Sequence, residues 1–190
     1  MKRAYVYLQI LTVSRVFLAA GVAMLFAAFG LNILTILVAA ALGGLAELTD
    51  LYDGILARKH NLTSDFGKFF DPYTDSIARL ILYFSLTSVG LVPLWLPAFM
   101  ALRDVSVSYV RLFAMKERVV MASRMSGKVK AWGQGVGYFL LLIIGLLQQF
   151  DLDLSALVFY LALCVLLITL WSLIDYVASL ILLLRKPSAG

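Results

Sequence analysis

The stretch 154–184, LSALVFYLALCVLLITLWSLIDYVASLILLL, runs for 31 residues with one charged side chain, Asp175. A helix needs about 20 mostly apolar residues to cross the hydrocarbon core of a bilayer. Only a helix or a closed barrel satisfies every backbone group in lipid, and an apolar run this long without alternation is helical. Working outward, five more runs follow the same reading, at about 9–29, 31–56, 69–90, 93–115 and 129–150. They are separated by breaks at 30–32, 58–68, 89–97, 116–128 and 150–153, several marked by Gly, Pro93 or Pro97.

Composition agrees. Of 190 residues, 63% are hydrophobic and 14% charged, with a mean hydropathy of +0.96, well outside the range of soluble domains. Abundant apolar surface also excludes a disordered chain. Six spans with short loops occupy nearly all of residues 1–190, so the expectation is an all-α integral membrane protein of one domain. The apolar run after Lys2 and Arg3 exceeds the length of a signal-peptide core, so a retained first span is expected. Cys164, alone in an apolar run, excludes an intrachain disulfide.

Charge placement sets the expected topology. With six spans, all 16 Lys and Arg fall on one side or in the adjoining span halves, Arg103 being the deepest. The opposite side carries only Asp151 and Asp153. The positive-inside rule then puts both termini in the cytoplasm, in an inner (cytoplasmic) membrane.

The informative residues are acids at span ends, because ionisable groups in a membrane are costly and mark sites or pathways. Asp50 and Asp53 close the second span, three residues apart; Asp71 and Asp75 open the third, four apart. Each pair therefore shares a helix face, and an 11-residue basic and polar loop joins them at one depth. Two readings compete. The acids are surface groups paired with Arg58, Lys59, Lys68 and Arg79, or they hold divalent cations such as Mg²⁺, which take oxygen ligands and leave positions for phosphates. Two ions about 3.5–4 Å apart suit a phosphoryl displacement. Gly54, Ala57 and Gly67 give a ligand clearance to approach the backbone, and Arg58 offers a planar fork for phosphate oxygens. Together these residues suit a nucleotide diphosphate.

The pattern Asp50-x2-Asp53-Gly54-x2-Ala57-Arg58-x8-Gly67-x3-Asp71-x3-Asp75 resembles the signature of the CDP-alcohol phosphotransferases at all eight fixed positions. The resemblance implies metal ligation by Asp50, Asp53 and Asp71, with Asp75 as general base and also near a metal. It implies two Mg²⁺ or Mn²⁺ ions, and cytidine diphosphate cradled by Gly54, Ala57, Arg58 and Gly67, with Ser64 near the nucleotide. The implied reaction transfers a phosphatidyl group from CDP-diacylglycerol to an alcohol and releases CMP, in a homodimer, with no nucleic acid as partner. The site would lie at the cytoplasmic face, where a lipid meets a water-soluble acceptor.

Candidate cations for an acceptor phosphate are Arg111, Arg124 and Lys128, which flank span ends at the catalytic depth. The stretch 126–131 with Gln134, and Arg103-Asp104, are similar to features of phosphatidylglycerophosphate synthases, which points to sn-glycerol 3-phosphate. The segment 9–15 lacks the Pro-Asn of their usual start, and Ser76 stands where they commonly have lysine. Another phospho-alcohol, inositol phosphate or a lipid alcohol is therefore the alternative acceptor. A non-enzymatic cation-binding membrane protein is a further alternative, although a transport path would place ionisable residues on both sides. Glu47, one turn before Asp50, is a candidate supporting acid, and Asp175 lies deep enough to need a partner such as Arg103 or Arg15.

Overall fold

The structure, a computed structural model, describes the backbone of residues 2–60, 65–117 and 124–185, and the side chains of 11–49, 70, 72–117 and 124–184. The described residues form six helices: α1 (Lys2–Phe29), α2 (Ile33–His60), α3 (Asp65–Ser88), α4 (Trp95–Lys116), α5 (Met125–Gln148) and α6 (Ser155–Arg185). They correspond in order to the six apolar runs.

Local chemistry explains the breaks. At 30–32 the chain turns through Gly30, whose φ of 65° is left-handed backbone that glycine adopts without a Cβ penalty. Asn32 then caps α2 reciprocally: its Oδ1 accepts the Thr35 amide at 3.0 Å, and Thr35 Oγ1 accepts the Asn32 amide at 3.0 Å. Pro97 falls in the first turn of α4 rather than in the preceding break, a position where the missing N–H costs nothing. Pro72 lies inside α3.

Helix α1 packs on α2 and α3, while α6 packs on α4 and α5; the two trios meet through α2–α5, α3–α4 and α3–α5. Close approach at the seam depends on small residues, as in membrane bundles generally. A Cβ on Gly43 of α2 would lie 2.7 Å from the Tyr138 ring, and one on Gly137 of α5 would lie 2.7 Å from Val165 and 2.9 Å from the Tyr83 hydroxyl. Both tyrosines are buried at that seam. Tyr83 donates to the Gln134 carbonyl at 2.7 Å and Tyr138 to the Ala39 carbonyl at 3.3 Å, so each phenol satisfies its hydroxyl across the trios.

The distribution of polarity is reversed relative to a soluble protein. Phe17, Leu102, Tyr160, Leu167 and Ile174 are among the many large apolar side chains on the outer surface, whereas Arg15, Arg103, Lys130 and Gln134 are buried. An apolar exterior of this extent belongs in lipid. Among the described residues, three stretches are long and apolar enough to cross a membrane, Leu11–Phe29, Met125–Gln148 and Ser155–Leu184, and Ile33–Thr49 is a shorter apolar helix. Among the described residues every regular element is a helix, and the chain is a membrane protein.

Candidate functional site

Buried charges gather on the inner faces of the helices. Asp75, on α3, forms an ion pair with Arg15 of α1; the arginine is almost fully buried and the carboxylate partly exposed. The acid expected to act as base therefore faces the bundle interior with its charge compensated from the first helix. The side chains of Asp50, Asp53, Gly54, Ala57, Arg58, Gly67 and Asp71 lie outside the described residues, as does all of Ser64. The helices that carry the motif are nevertheless in place: Asp50 to Arg58 belong to α2, and Gly67, Asp71 and Asp75 to α3, both packed on α1. Among the described residues no group of three His, Cys, Asp or Glu could hold a metal, and three of the four motif acids are not among them.

One turn before Asp50, Glu47 lies 3.7 Å from Arg79 Nε, closer to an ion pair than to a hydrogen bond. Across the seam, Glu47 approaches α5, where a Cβ on Gly135 would sit 3.4 Å from its Oε1. Arg79 is one turn past Asp75 on α3, so α2, α3 and α5 share this level of the interior.

The next group links α4, α5 and α6. Asp104 Oδ1 accepts from Arg103 Nη1 at 2.8 Å and from Lys130 Nζ at 2.8 Å. Arg103 Nη2 also donates to Ser172 Oγ at 2.6 Å. The Arg103-Asp104 pair singled out in the sequence is thus real, but it is a triad completed by Lys130. Below it, Gln134 Nε2 donates to Thr169 Oγ1 at 3.0 Å, while Gln134 Oε1 is buried without a partner among the described residues.

Two of the three acceptor-phosphate candidates converge. Arg111 Nη2 donates to the Tyr176 hydroxyl at 2.7 Å, and its guanidinium lies 5.1 Å from the ring centroid. The Arg124 backbone N–H donates to the same hydroxyl at 3.3 Å. Arg103 reaches the same ring at 5.5 Å, so Tyr176 lies between two arginines spaced eight residues apart on α4, in cation–π contact with both. Lys128 is exposed, and among the described residues it is joined to Arg124 through the backbone, its N–H donating to the Arg124 carbonyl at 3.4 Å. Asp175 finds its partner in Arg124, not in Arg103 or Arg15. The pair is bidentate, at 2.5 and 2.7 Å, and Ser126 donates to the same carboxylate. The Asp175 hydrogen bonds hold the Arg124 guanidinium above its ordinary range, leaving it a fixed positive charge.

Tyr176, Lys130 and Arg79 were not among the candidate site residues read from the sequence. Lys130 and Tyr176 carried one usable signal, a cation or hydroxyl-bearing ring inside an apolar run, but their partners lie 26 to 65 residues away.

Comparisons with known proteins bear on this arrangement. A family model for CDP-alcohol phosphatidyltransferase matches residues 8–184. The CDP-diacylglycerol–glycerol-3-phosphate 3-phosphatidyltransferase of Bacillus subtilis (strain 168) is 35% identical over 99 residues, 52% of this chain and 51% of that one. A protein named "Probable phosphatidylglycerophosphate synthase" from Mycobacterium tuberculosis (strain ATCC 25618 / H37Rv) is 33% identical over 143 residues, 74% of this chain and 65% of that one. The 3-phosphatidyltransferase of Treponema pallidum (strain Nichols), which bears the same name as the B. subtilis protein, is 31% identical over 104 residues, 55% and 48%. The chain spans about half to two-thirds of the length of these relatives.

Proposed function

The chain belongs to the CDP-alcohol phosphatidyltransferase family, and we propose that it transfers a phosphatidyl group from CDP-diacylglycerol to sn-glycerol 3-phosphate, giving phosphatidylglycerol phosphate and CMP. The observation that carries this reading is the complete Asp50–Asp75 pattern on α2 and α3, with Asp75 turned inward beside Arg15. The printed names of the relatives support the choice of glycerol 3-phosphate. All six helices would cross the inner membrane as one domain of residues 1–190, with both termini and the site on the cytoplasmic side, and the enzyme would work as a homodimer.

Asp50, Asp53, Asp71 and Asp75 form a hard, all-oxygen donor set, which fits Mg²⁺ or Mn²⁺ and not a thiophilic metal. Two such ions, when bound, supply positive charge against the diphosphate. The chain's own residues do the rest. Gly54, Ala57, Arg58, Ser64 and Gly67 bind the cytidine diphosphate, leaving the lipid tails outside the bundle. Arg111, Arg124 and Lys128 hold the acceptor phosphate, with Tyr176 fixing Arg111. The acceptor hydroxyl oxygen attacks the phosphorus bearing the diacylglycerol, its proton passes to Asp75, and the P–O bond to CMP breaks. Arg15 orients the Asp75 carboxylate and compensates its charge before the proton arrives.

The test is CMP release by the purified protein with CDP-diacylglycerol and Mg²⁺ over a panel of acceptor alcohols. Release with glycerol 3-phosphate alone is expected. Release only with inositol phosphate, another phospho-alcohol or a lipid alcohol would keep the reaction and replace the acceptor.

A further inference from the structure

The described interior carries more cations than its acids can serve. One carboxylate oxygen of Asp104 is shared by Arg103 and Lys130. Among the described residues the acid beside Arg79 is Glu47, 3.7 Å away and more than a third exposed. Arg79 is 13% exposed in its side chain, makes no hydrogen bond among the described residues, and keeps its Nε buried without a partner. A largely buried guanidinium with unmade donors is costly. An anion supplied from outside the protein gives those donors acceptors. The guanidinium's planar fork of donors matches phosphate oxygens, and Arg79 sits one turn, about 6 Å, along α3 from Asp75.

We propose that Arg79 is an anion subsite that takes a phosphate oxygen of a substrate one helical turn from Asp75. The inference rests on the phosphatidyl-transfer reading for the identity of the ligand. The phosphate belongs either to the diphosphate of CDP-diacylglycerol or to the phospho-alcohol acceptor, and the two are separable by experiment.

The experiment uses the full-length protein in detergent. Binding of CDP-diacylglycerol and of glycerol 3-phosphate is measured by calorimetry, and both KM values by CMP release, for wild type, Arg79→Lys, Arg79→Gln and the double variant Glu47→Gln with Arg79→Gln. The double variant removes both charges, so no unpaired acid is left to unfold it. The expected result is a loss of about tenfold or more in affinity for one of the two phosphates, a KM rise exceeding any fall in kcat, and partial recovery in Arg79→Lys. A loss confined to glycerol 3-phosphate assigns the acceptor phosphate; a loss confined to CDP-diacylglycerol assigns the diphosphate. Unchanged affinity for both ligands overturns the subsite, and so does an equal loss of both that tracks a lowered Tm. A wild type that binds but releases no CMP with any acceptor sinks the phosphatidyl-transfer reading, while the calorimetry still decides Arg79.

Discussion

Because Asp104 serves two buried cations through one oxygen, its removal and the removal of Lys130 have unequal consequences. Asp104→Asn preserves shape but leaves Arg103 and Lys130 buried, 7% and 4% exposed, with no counter-charge. Breaking a buried pair by removing one partner costs about 3–5 kcal/mol, and here two cations are left against each other, so the upper end applies. Lys130→Met removes one cation with a similar apolar stem, and Arg103 Nη1 keeps its 2.8 Å bond to Asp104. The cost is then about one charge-assisted hydrogen bond, ~1.5–3 kcal/mol. For a chain of this size about 1 kcal/mol moves Tm by roughly 2–4 °C, so Asp104→Asn should lower Tm by roughly 10–20 °C and Lys130→Met by roughly 3–12 °C. The double variant should recover part of the Asp104→Asn loss, since only Arg103 then lacks its acid, and it retains Ser172. The assay is thermal unfolding in one detergent at one protein concentration. Equal losses, or a Lys130→Met protein less stable than Asp104→Asn, would refute the shared-carboxylate account.

Other consequences follow from the same geometry. Tyr176→Phe keeps the ring against Arg103 and Arg111 but deletes the oxygen that accepts from Arg111 and from the Arg124 amide; the acceptor KM should rise about tenfold, corresponding to roughly 1.4 kcal/mol, with a smaller change in the CDP-diacylglycerol KM, as initial-rate kinetics would show. Gly137→Ala should destabilise by about 1–3 kcal/mol through overpacking, since its Cβ would meet Val165 and Tyr83, whereas Gly44→Ala, with nothing within 4 Å, should not. In the α5–α6 connection, Asp153 Oδ1 accepts the Ser155 amide at 3.1 Å at the start of α6, and hydrogen bonds from the Ser155 side chain and amide hold its carboxyl below the ordinary 3.8. A lowered folded-state value means that this support is complete above pH 3.8 and is lost as pH falls through the depressed value. Amide exchange at Ser155 should therefore quicken, after correction for intrinsic rates, at pH 3 but not at pH 6, and Asp153→Ala should remove the difference.

The sequence showed the helices plainly because apolar run length is a local property, and six runs became six helices in the same order. It also placed the break at 30–32, whose Gly, Asn and Thr carry the turn and the cap within six residues. What it did not reveal was the pairing of helices into two trios, since an all-apolar helix has no polar stripe to say which face turns inward. For the same reason Asp175 was matched to the wrong arginine: depth along the chain suggested Arg103 or Arg15, but the N-terminal turn of α5 brings Arg124 and Ser126 to it. Lys130 lies within the stretch 126–131 singled out in the sequence, but only the packing of α4 on α6 and α6 on α5 brings it beside Asp104. The motif itself was legible because its spacing is fixed by two helix turns and a loop. The assembly of its acids around a substrate is not a property of any one segment.

The central claim is that Asp75, held by Arg15 inside the bundle, takes the acceptor's proton during phosphatidyl transfer. The most direct measurement compares wild type and Asp75→Asn in the same detergent and Mg²⁺, recording CMP release with glycerol 3-phosphate and, separately, CDP-diacylglycerol binding. The account predicts that the variant binds the CDP-lipid nearly as tightly as wild type and releases no CMP. Wild-type turnover in Asp75→Asn would contradict it.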